Sequence, residues 1–288
     1  MTSASNVLPE SAALARPHVL RIAPPSRWWI LPIGELWTYR ELLYFFVWRD
    51  IKIRYKQTII GAAWAVLQPL LAMAVFTLFF GRLAHLSSDG LPYQVFSYCG
   101  LLPWLYFAAS LQSSTNSIVE NQRLVTKVYF PRLALPIASV FASLVDFAIS
   151  FVMFAVLMAY YHIHPSISFV WFPAFLLLAI LTAMGVGMWL SALNALYRDV
   201  RYVLPFLIQL WLFASPVVYS SSMIKPKWRS LYGLNPMAGV IDGFRWSLTG
   251  HGQPPGGMVF VSAVAVILIL VGGAAYFQKM DTTIADVV

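Results

Sequence analysis

Charge is what this sequence has least of. Only 10% of its 288 residues are charged, against 60% hydrophobic. A water-soluble domain carries about a quarter charged residues, so this chain has too little polar surface to face water on all sides. A soluble enzyme and a disordered linker are both excluded. Cysteine is nearly absent too. Cys99 stands alone, which rules out an intrachain disulfide and with it a disulfide scaffold. No G-x-x-x-x-G-K-[ST] run occurs, so the chain does not hold ATP on a P-loop. Neither an H-E-x-x-H run nor a cysteine pair is present to suggest a metal. His162 and His164, one residue apart, would point away from each other on a helix and read as an interfacial loop pair. Ser, His and Asp occur without a local signature, so no catalytic residue is assigned.

What is abundant is apolar and aromatic: 16% aromatic residues, including 11 Trp and 14 Tyr, types favoured where hydrocarbon meets water. The chain reads as an all-α integral membrane protein. A spanning helix needs about 20 apolar residues, and six stretches qualify, near 59–80, 95–115, 135–161, 169–192, 203–219 and 258–277. The fifth is short and interrupted by Pro205 and Pro216. The net charge of +8 would suit nucleic acid. On so apolar a chain, charge asymmetry across a bilayer is the better use, and no nucleic-acid partner is expected. Fourteen of the 19 Lys and Arg fall on the side of the two termini; the other five are Arg82, Lys225, Lys227, Arg229 and Arg245. The positive-inside rule then makes both termini cytoplasmic. Residues 1–34 begin with a polar, Pro-containing stretch without an apolar h-region, and read as a flexible cytoplasmic tail with no cleavable signal. Residues 278–288 form the cytoplasmic C-terminus.

Residues 35–58 read as an interfacial amphipathic helix. The tract Glu41–Lys56 is apolar first and charged last, and its charges do not segregate to one face. A helix dipping into the interface over Leu42–Trp48 and emerging at Arg49 fits best. Asp50 and Arg54, four apart, have the spacing of a helical ion pair. The segment 220–257 is too short to cross. Asn235 before Pro236 suits an N-cap and first turn, and Gly250 suits a stop. Two short re-entrant helices on the outer face are expected between spans five and six.

Three sets of residues invite functional readings. Asp146 lies well inside the third span, where an acid is costly. It is a proton or ion relay, or a structural acid bonded to Ser143 or Ser150. The structural reading is favoured because no second ionisable partner in the membrane is evident. Tyr98, Trp104, Tyr106 and Phe107 belong either to lipid-facing belts or to a pore lining on which sugar rings slide by apolar stacking. Arg123, Lys127 and Arg132, in the loop between spans two and three, either mark topology or help dock a cytoplasmic motor.

Several motifs then carry a family resemblance. The run Arg49-Asp50-Ile51-Lys52-Ile53-Arg54-Tyr55-Lys56-Gln57-Thr58, followed by Gly61, Trp64 and Gln68-Pro69-Leu70, resembles the opening of polysaccharide-export ABC-2 permeases. Gly100-Leu101-Leu102-Pro103-Trp104 and Lys127-Val128-Tyr129-Phe130-Pro131-Arg132 follow in the same order. So do Tyr197-Arg198-Asp199-Val200-Arg201, Ser215-Pro216-Val217-Val218-Tyr219 and Leu234-Asn235-Pro236-Met237, and the likeness runs from about residue 35 to the C-terminus.

The resemblance implies a homodimer working with two copies of a separate ABC ATPase subunit. Residues 59–277 would be the ABC-2 transmembrane domain. The pair would move a lipid-linked glycan (O antigen, capsule or teichoic acid) across the bacterial inner membrane. ATP and Mg would sit on the partner, with no cofactor in this chain. The loop from Asn121 to Phe130, with Arg123, Lys127 and Tyr129, would be the coupling helix that docks the ATPase. The helices of 220–257, with Asn235, Pro236, Asp242 and Arg245, would form an outer gate. Arg49, Lys52, Arg54 and Lys56 would attract either a lipid pyrophosphate head or the anionic lipids of the membrane. A permease for a small drug or lipid, an ion-coupled carrier built on Asp146, and a membrane transferase are the rival readings.

Overall fold

Twelve α-helices follow one another in the computed structural model, which describes residues 33–56, 62–252, 254 and 256–287; no strand occurs among these. In chain order they are α1 (Ile33–Thr38), α2 (Arg40–Tyr55), α3 (Ala62–Phe76), α4 (Tyr93–Glu120), α5 (Gln122–Lys127) and α6 (Ala134–Ala142). Then come α7 (Leu144–Tyr160), α8 (Phe172–Leu196), α9 (Val200–Ala214), α10 (Pro226–Tyr232), α11 (Pro236–Thr249) and α12 (Gly257–Val287). The first span was expected to start at residue 59, which lies outside the described residues, as do Gln57, Thr58, Gly61 and the tail through residue 32.

Among the described residues, four helical stretches are long and apolar enough to cross a bilayer: Ala63–Leu83, Ala134–Tyr160, Ile167–Leu196 and Gly257–Asp281. They coincide with the first, third, fourth and sixth expected spans. The first continues α3 through a π-helical segment, Thr77–Leu83. The third joins α6 to α7 at Ser143, whose Oγ donates to the Ser139 carbonyl at 3.1 Å, a back-bond that bends helices.

The second and fifth expected stretches differ for separate reasons. With 28 residues α4 is about 42 Å long, ample to cross, but it carries Ser97, Ser110, Ser114, Thr115 and Ser117, all buried. It is the central helix, packed on α3, α6, α7, α8, α9 and α11, so its surface meets protein and need not be uniformly apolar. By contrast α9 has 15 residues, about 22 Å. It ends at Ala214 because Ser215 precedes Pro216 and is extended, with φ −110° and ψ 151°.

Close approaches fix how these helices pack. A Cβ on Gly273 of α12 would lie 2.5 Å from the Gly185 carbonyl of α8, and one on Gly185 would lie 2.9 Å from the Leu270 nitrogen. The two backbones therefore touch, as small residues permit between membrane helices. Between α4 and α8, Asn194 Nδ2 donates to the Thr115 carbonyl at 3.0 Å and to Asn116 Oδ1 at 3.2 Å. The short helices of the 220–257 segment form as expected. Asn235 caps α11, its side chain accepting from the Met237 N–H at 3.1 Å, Pro236 opens the helix, and Gly250 closes it at φ 69°. They differ in setting: α10 has no buried residue, whereas nearly all of α11 is buried against α4, α8 and α12.

The course of α2 is set by its packing. It runs beside α6, and its end reaches α7. Phe46 meets Phe130, Asp50 accepts from Ser139 Oγ at 3.4 Å, and Arg54 reaches Asp146. Asp146 lies 12 residues beyond Ala134, about 18 Å along the helix. Of the charges that failed to segregate to one face, Arg54 pairs with Asp146 of α7 and Arg49 with Asp50 within α2, while Lys52 and Lys56 are exposed.

Candidate functional site

The end of α2 builds the first site. Arg54 Nη1 is bonded to one carboxylate oxygen of Asp146, the Tyr55 hydroxyl donates to the other, and Arg54 Nη2 donates to Ser113 Oγ at 3.2 Å. The expected Asp50–Arg54 pair does not form, because Asp50 is held by Arg49 at 2.8 Å. Asp146 therefore does have an ionisable partner, and the serines proposed for it bond elsewhere: Ser150 Oγ donates to the Ala65 carbonyl at 2.8 Å, Ser143 Oγ to Ser139. Of the four cations grouped on α2, Lys52 and Lys56 are exposed, while Arg49 and Arg54 are partly buried. Arg49 also lies over the Phe46 ring, 5.0 Å from its centroid.

Arg54, Tyr55 and Asp146 stand in the wall of a cavity of about 880 Å³ between α3, α4, α7 and α9. Trp64, Gln68, Tyr106, Gln112 and Pro205 line other parts of it. The lining mixes aromatic, amide and charged groups.

At the loop after α4, Arg123, Lys127 and Tyr129 are exposed on or just after α5, and Asn121 ends α4, its Nδ2 donating to the Ser117 carbonyl at 2.7 Å. Phe130 does not belong with them. It is buried and packs edge to face on Phe46, so it anchors the loop and offers no docking surface. Arg132 ties the same loop to α12 through Asp281 at 3.0 Å.

The four aromatics singled out as a sliding surface also need correction. Tyr98, Trp104, Tyr106 and Phe107 are each at most 3% exposed. The Tyr98 hydroxyl donates to the Ser150 carbonyl at 3.2 Å, and that of Tyr106 to the Val140 carbonyl at 3.4 Å. Phe107 packs between Trp104 and Trp211. Their rings fill the subunit's core, and Tyr106 alone of the four borders the cavity. An exposed ring does face it: Trp64 of α3.

Residues expected to form an outer gate converge on Arg245. Its guanidinium is buried, donating to the Val217 carbonyl at 2.7 Å, lying 3.8 Å from Asp242 and stacking 3.7 Å above the Phe96 ring. Asp242 also accepts from Ser221 Oγ. Burial holds its carboxyl above the usual range, against the pull of Arg245. Asp89 accepts from Ser220 and Ser222, the latter at 2.9 Å. Gly100 makes room for the arrangement: a Cβ there would lie 2.7 Å from Arg245 Nη2. Asn235 joins α11 to α9, accepting from Trp211 Nε1 at 2.9 Å and donating to the Ala214 carbonyl at 3.0 Å. Asn235, Asp242 and Arg245 thus belong to one assembly around α11, with Pro236 buried at the start of that helix.

Residues 41–249, from α2 through α11, match the family of ABC-2 type transporters. This chain belongs to that family. The ABC-2 match contains the cavity, the α5 loop and the Arg245 assembly, and stops before α12. The chain is 30% identical over 256 residues to the O-antigen export system permease protein RfbA of Myxococcus xanthus, covering 88% of this chain and 98% of that one. It is 28% identical to RfbA of Klebsiella pneumoniae, over 86% of this chain and 95% of that one. The polysialic acid transport protein KpsM of Escherichia coli is 23% identical over 83% of this chain and 93% of its own. As an ABC-2 family member the chain is a transporter's membrane subunit and not itself an enzyme.

Within this ABC-2 subunit, several residues that matter were not singled out by sequence. Tyr55 and Ser113 share the Arg54–Asp146 site, and Asp89, Ser220 and Ser222 adjoin the Arg245 assembly. Only Asp89 left a signal, the Asp-Gly turn with φ 52° and then 83°. The rest are common polar residues whose partners lie some 60 to 130 positions away.

Proposed function

We propose that this chain is the permease subunit of an ATP-driven exporter that moves a lipid-linked polysaccharide from the cytoplasmic to the outer side of a bacterial inner membrane. The observation that carries the reading is the end-to-end similarity to O-antigen export permeases, covering 98% of the Myxococcus protein. Two copies of this chain pair with two copies of an ABC ATPase, which holds ATP and Mg. Arg123, Lys127 and Tyr129, exposed at α5, form the ATPase docking face. Both termini and this loop lie on the cytoplasmic side, with α4 and α9 completing six crossings.

A second copy is supported by α9. That helix is too short to cross easily alone, exposes Phe206, Leu210 and Phe213, and carries an exposed Gln209 among them. An amide facing lipid would lack hydrogen-bond partners; facing a second subunit, or a polar path between two, it would not.

The test is reconstitution of the chain with its ATPase in vesicles containing a lipid-linked glycan. ATP-dependent appearance of the polymer on the opposite face is the expected result. Transport confined to small drugs or unglycosylated lipids, or driven by a proton gradient without ATP, would sink the proposal.

A further inference from the structure

The Arg54–Asp146 pair is both bound and reachable. It stands in the cavity wall, and the two side chains keep 28% and 27% of their surface exposed. The guanidinium uses Nη1 on Asp146 and Nη2 on Ser113, and the Tyr55 hydroxyl takes the second carboxylate oxygen. Two donors of α2, Arg54 Nη1 and the Tyr55 hydroxyl, therefore converge on one anionic group beside an open volume, and the Ser113 hydroxyl stands next to them on the same guanidinium.

A cation at this depth is costly without a counter-ion. The carboxylate of Asp146 removes that cost while the cavity is empty. A carboxylate and a phosphate both accept from the planar fork of an arginine, but a diphosphate brings more charge and more acceptor oxygens. Such a group would compete with Asp146 for the same donors.

We infer that Arg54, Tyr55 and Ser113 form a binding site for the diphosphate head of a lipid, and that Asp146 is the resident anion this head displaces. The inference rests on the lipid-linked glycan reading above. It differs in sign from a structural role. If Asp146 only staples α2 to α7, removing its charge weakens whatever the site binds. If Asp146 is a competitor, removing its charge strengthens binding.

The experiment is equilibrium binding of a radiolabelled polyprenyl diphosphate to the full-length protein in phosphatidylcholine nanodiscs. Asp146→Asn is expected to bind about tenfold more tightly than the unaltered chain, equivalent to about 1.4 kcal/mol. Arg54→Gln is expected to bind about tenfold more weakly, and the double variant no better than Arg54→Gln. An Asp146→Asn protein that binds equally or more weakly overturns the inference. Asp146→Ser replaces it, with the same expectation, if the asparagine variant does not fold. Inorganic pyrophosphate and a polyprenyl monophosphate separate the sources: both should compete at least tenfold less well than the lipid diphosphate. Pyrophosphate competing equally would make this a site for free diphosphate and overturn the lipid assignment. If vesicles fail to move the glycan while Asp146→Asn still tightens diphosphate binding, the export reading falls and the site stands. The reverse pair of results does the opposite.

Discussion

Phe46 of α2 and Phe130 of the loop after α5 meet edge to face, their ring centroids 5.4 Å apart, each about 5% exposed. The exposed residues of α5 are thereby fastened to α2 as well as to α4. Phe46 and Arg54 stand eight residues apart on α2, about 12 Å along it, so this one helix touches both the α5 loop and the cavity wall.

Phe130→Ala should therefore loosen the subunit itself. Loss of a buried phenyl ring costs about 3–5 kcal/mol, to be read as a lower temperature of aggregation in detergent by size-exclusion chromatography. Phe46→Ala should act alike, and the double variant should cost less than the two single changes added, because both remove one shared contact.

Tyr129→Ala, and Arg123→Glu with Lys127→Glu, should leave that temperature nearly unchanged, since exposed substitutions stay within about 0.5 kcal/mol. Co-purification of the ATPase should fall sharply. Retained ATPase binding in both variants would remove α5 from the docking face.

Gly100→Ala tests the packing around the buried guanidinium. The new methyl would lie 2.7 Å from Arg245 Nη2 and 3.0 Å from the Val217 carbonyl. Overpacking of this kind costs about 1–3 kcal/mol. A variant with an unchanged melting temperature would mean that Arg245 moves aside freely.

Arg245→Met should be more damaging, because it leaves Asp242 in a buried place without its cation and leaves the Val217 carbonyl without its donor. Breaking a buried pair from one side costs about 3–5 kcal/mol. Adding Asp242→Asn should return part of the loss. Melting temperatures of the two single variants and the double variant measure the coupling.

Sequence alone reached four of its six apolar stretches because lipid imposes one requirement on every lipid-facing residue. It reached the Asn235 cap and the Gly250 stop because both are local. It misjudged what depends on distant neighbours. Asp146 has no acid or base nearby in sequence, yet Arg54 meets it across 92 positions. Tyr98, Trp104 and Phe107 have the composition of a sugar-binding surface and the position of a core, a choice settled only by which helices surround α4. Phe130 lies in a run of exposed residues, and its burial depends on Phe46, 84 positions earlier.

The seam between α4 and α8 bears on how the chain is made. Residues 93–120 leave the ribosome before residues 172–196 exist, so the Thr115 carbonyl and Asn116 amide first meet the translocon and lipid without Asn194. A helix this rich in hydroxyls is poorly held by hydrocarbon on its own. Stable insertion of the second hydrophobic stretch should thus wait for the fourth, and a nascent chain truncated before residue 172 should lose α4 from the membrane, whereas one extended beyond residue 196 should keep it.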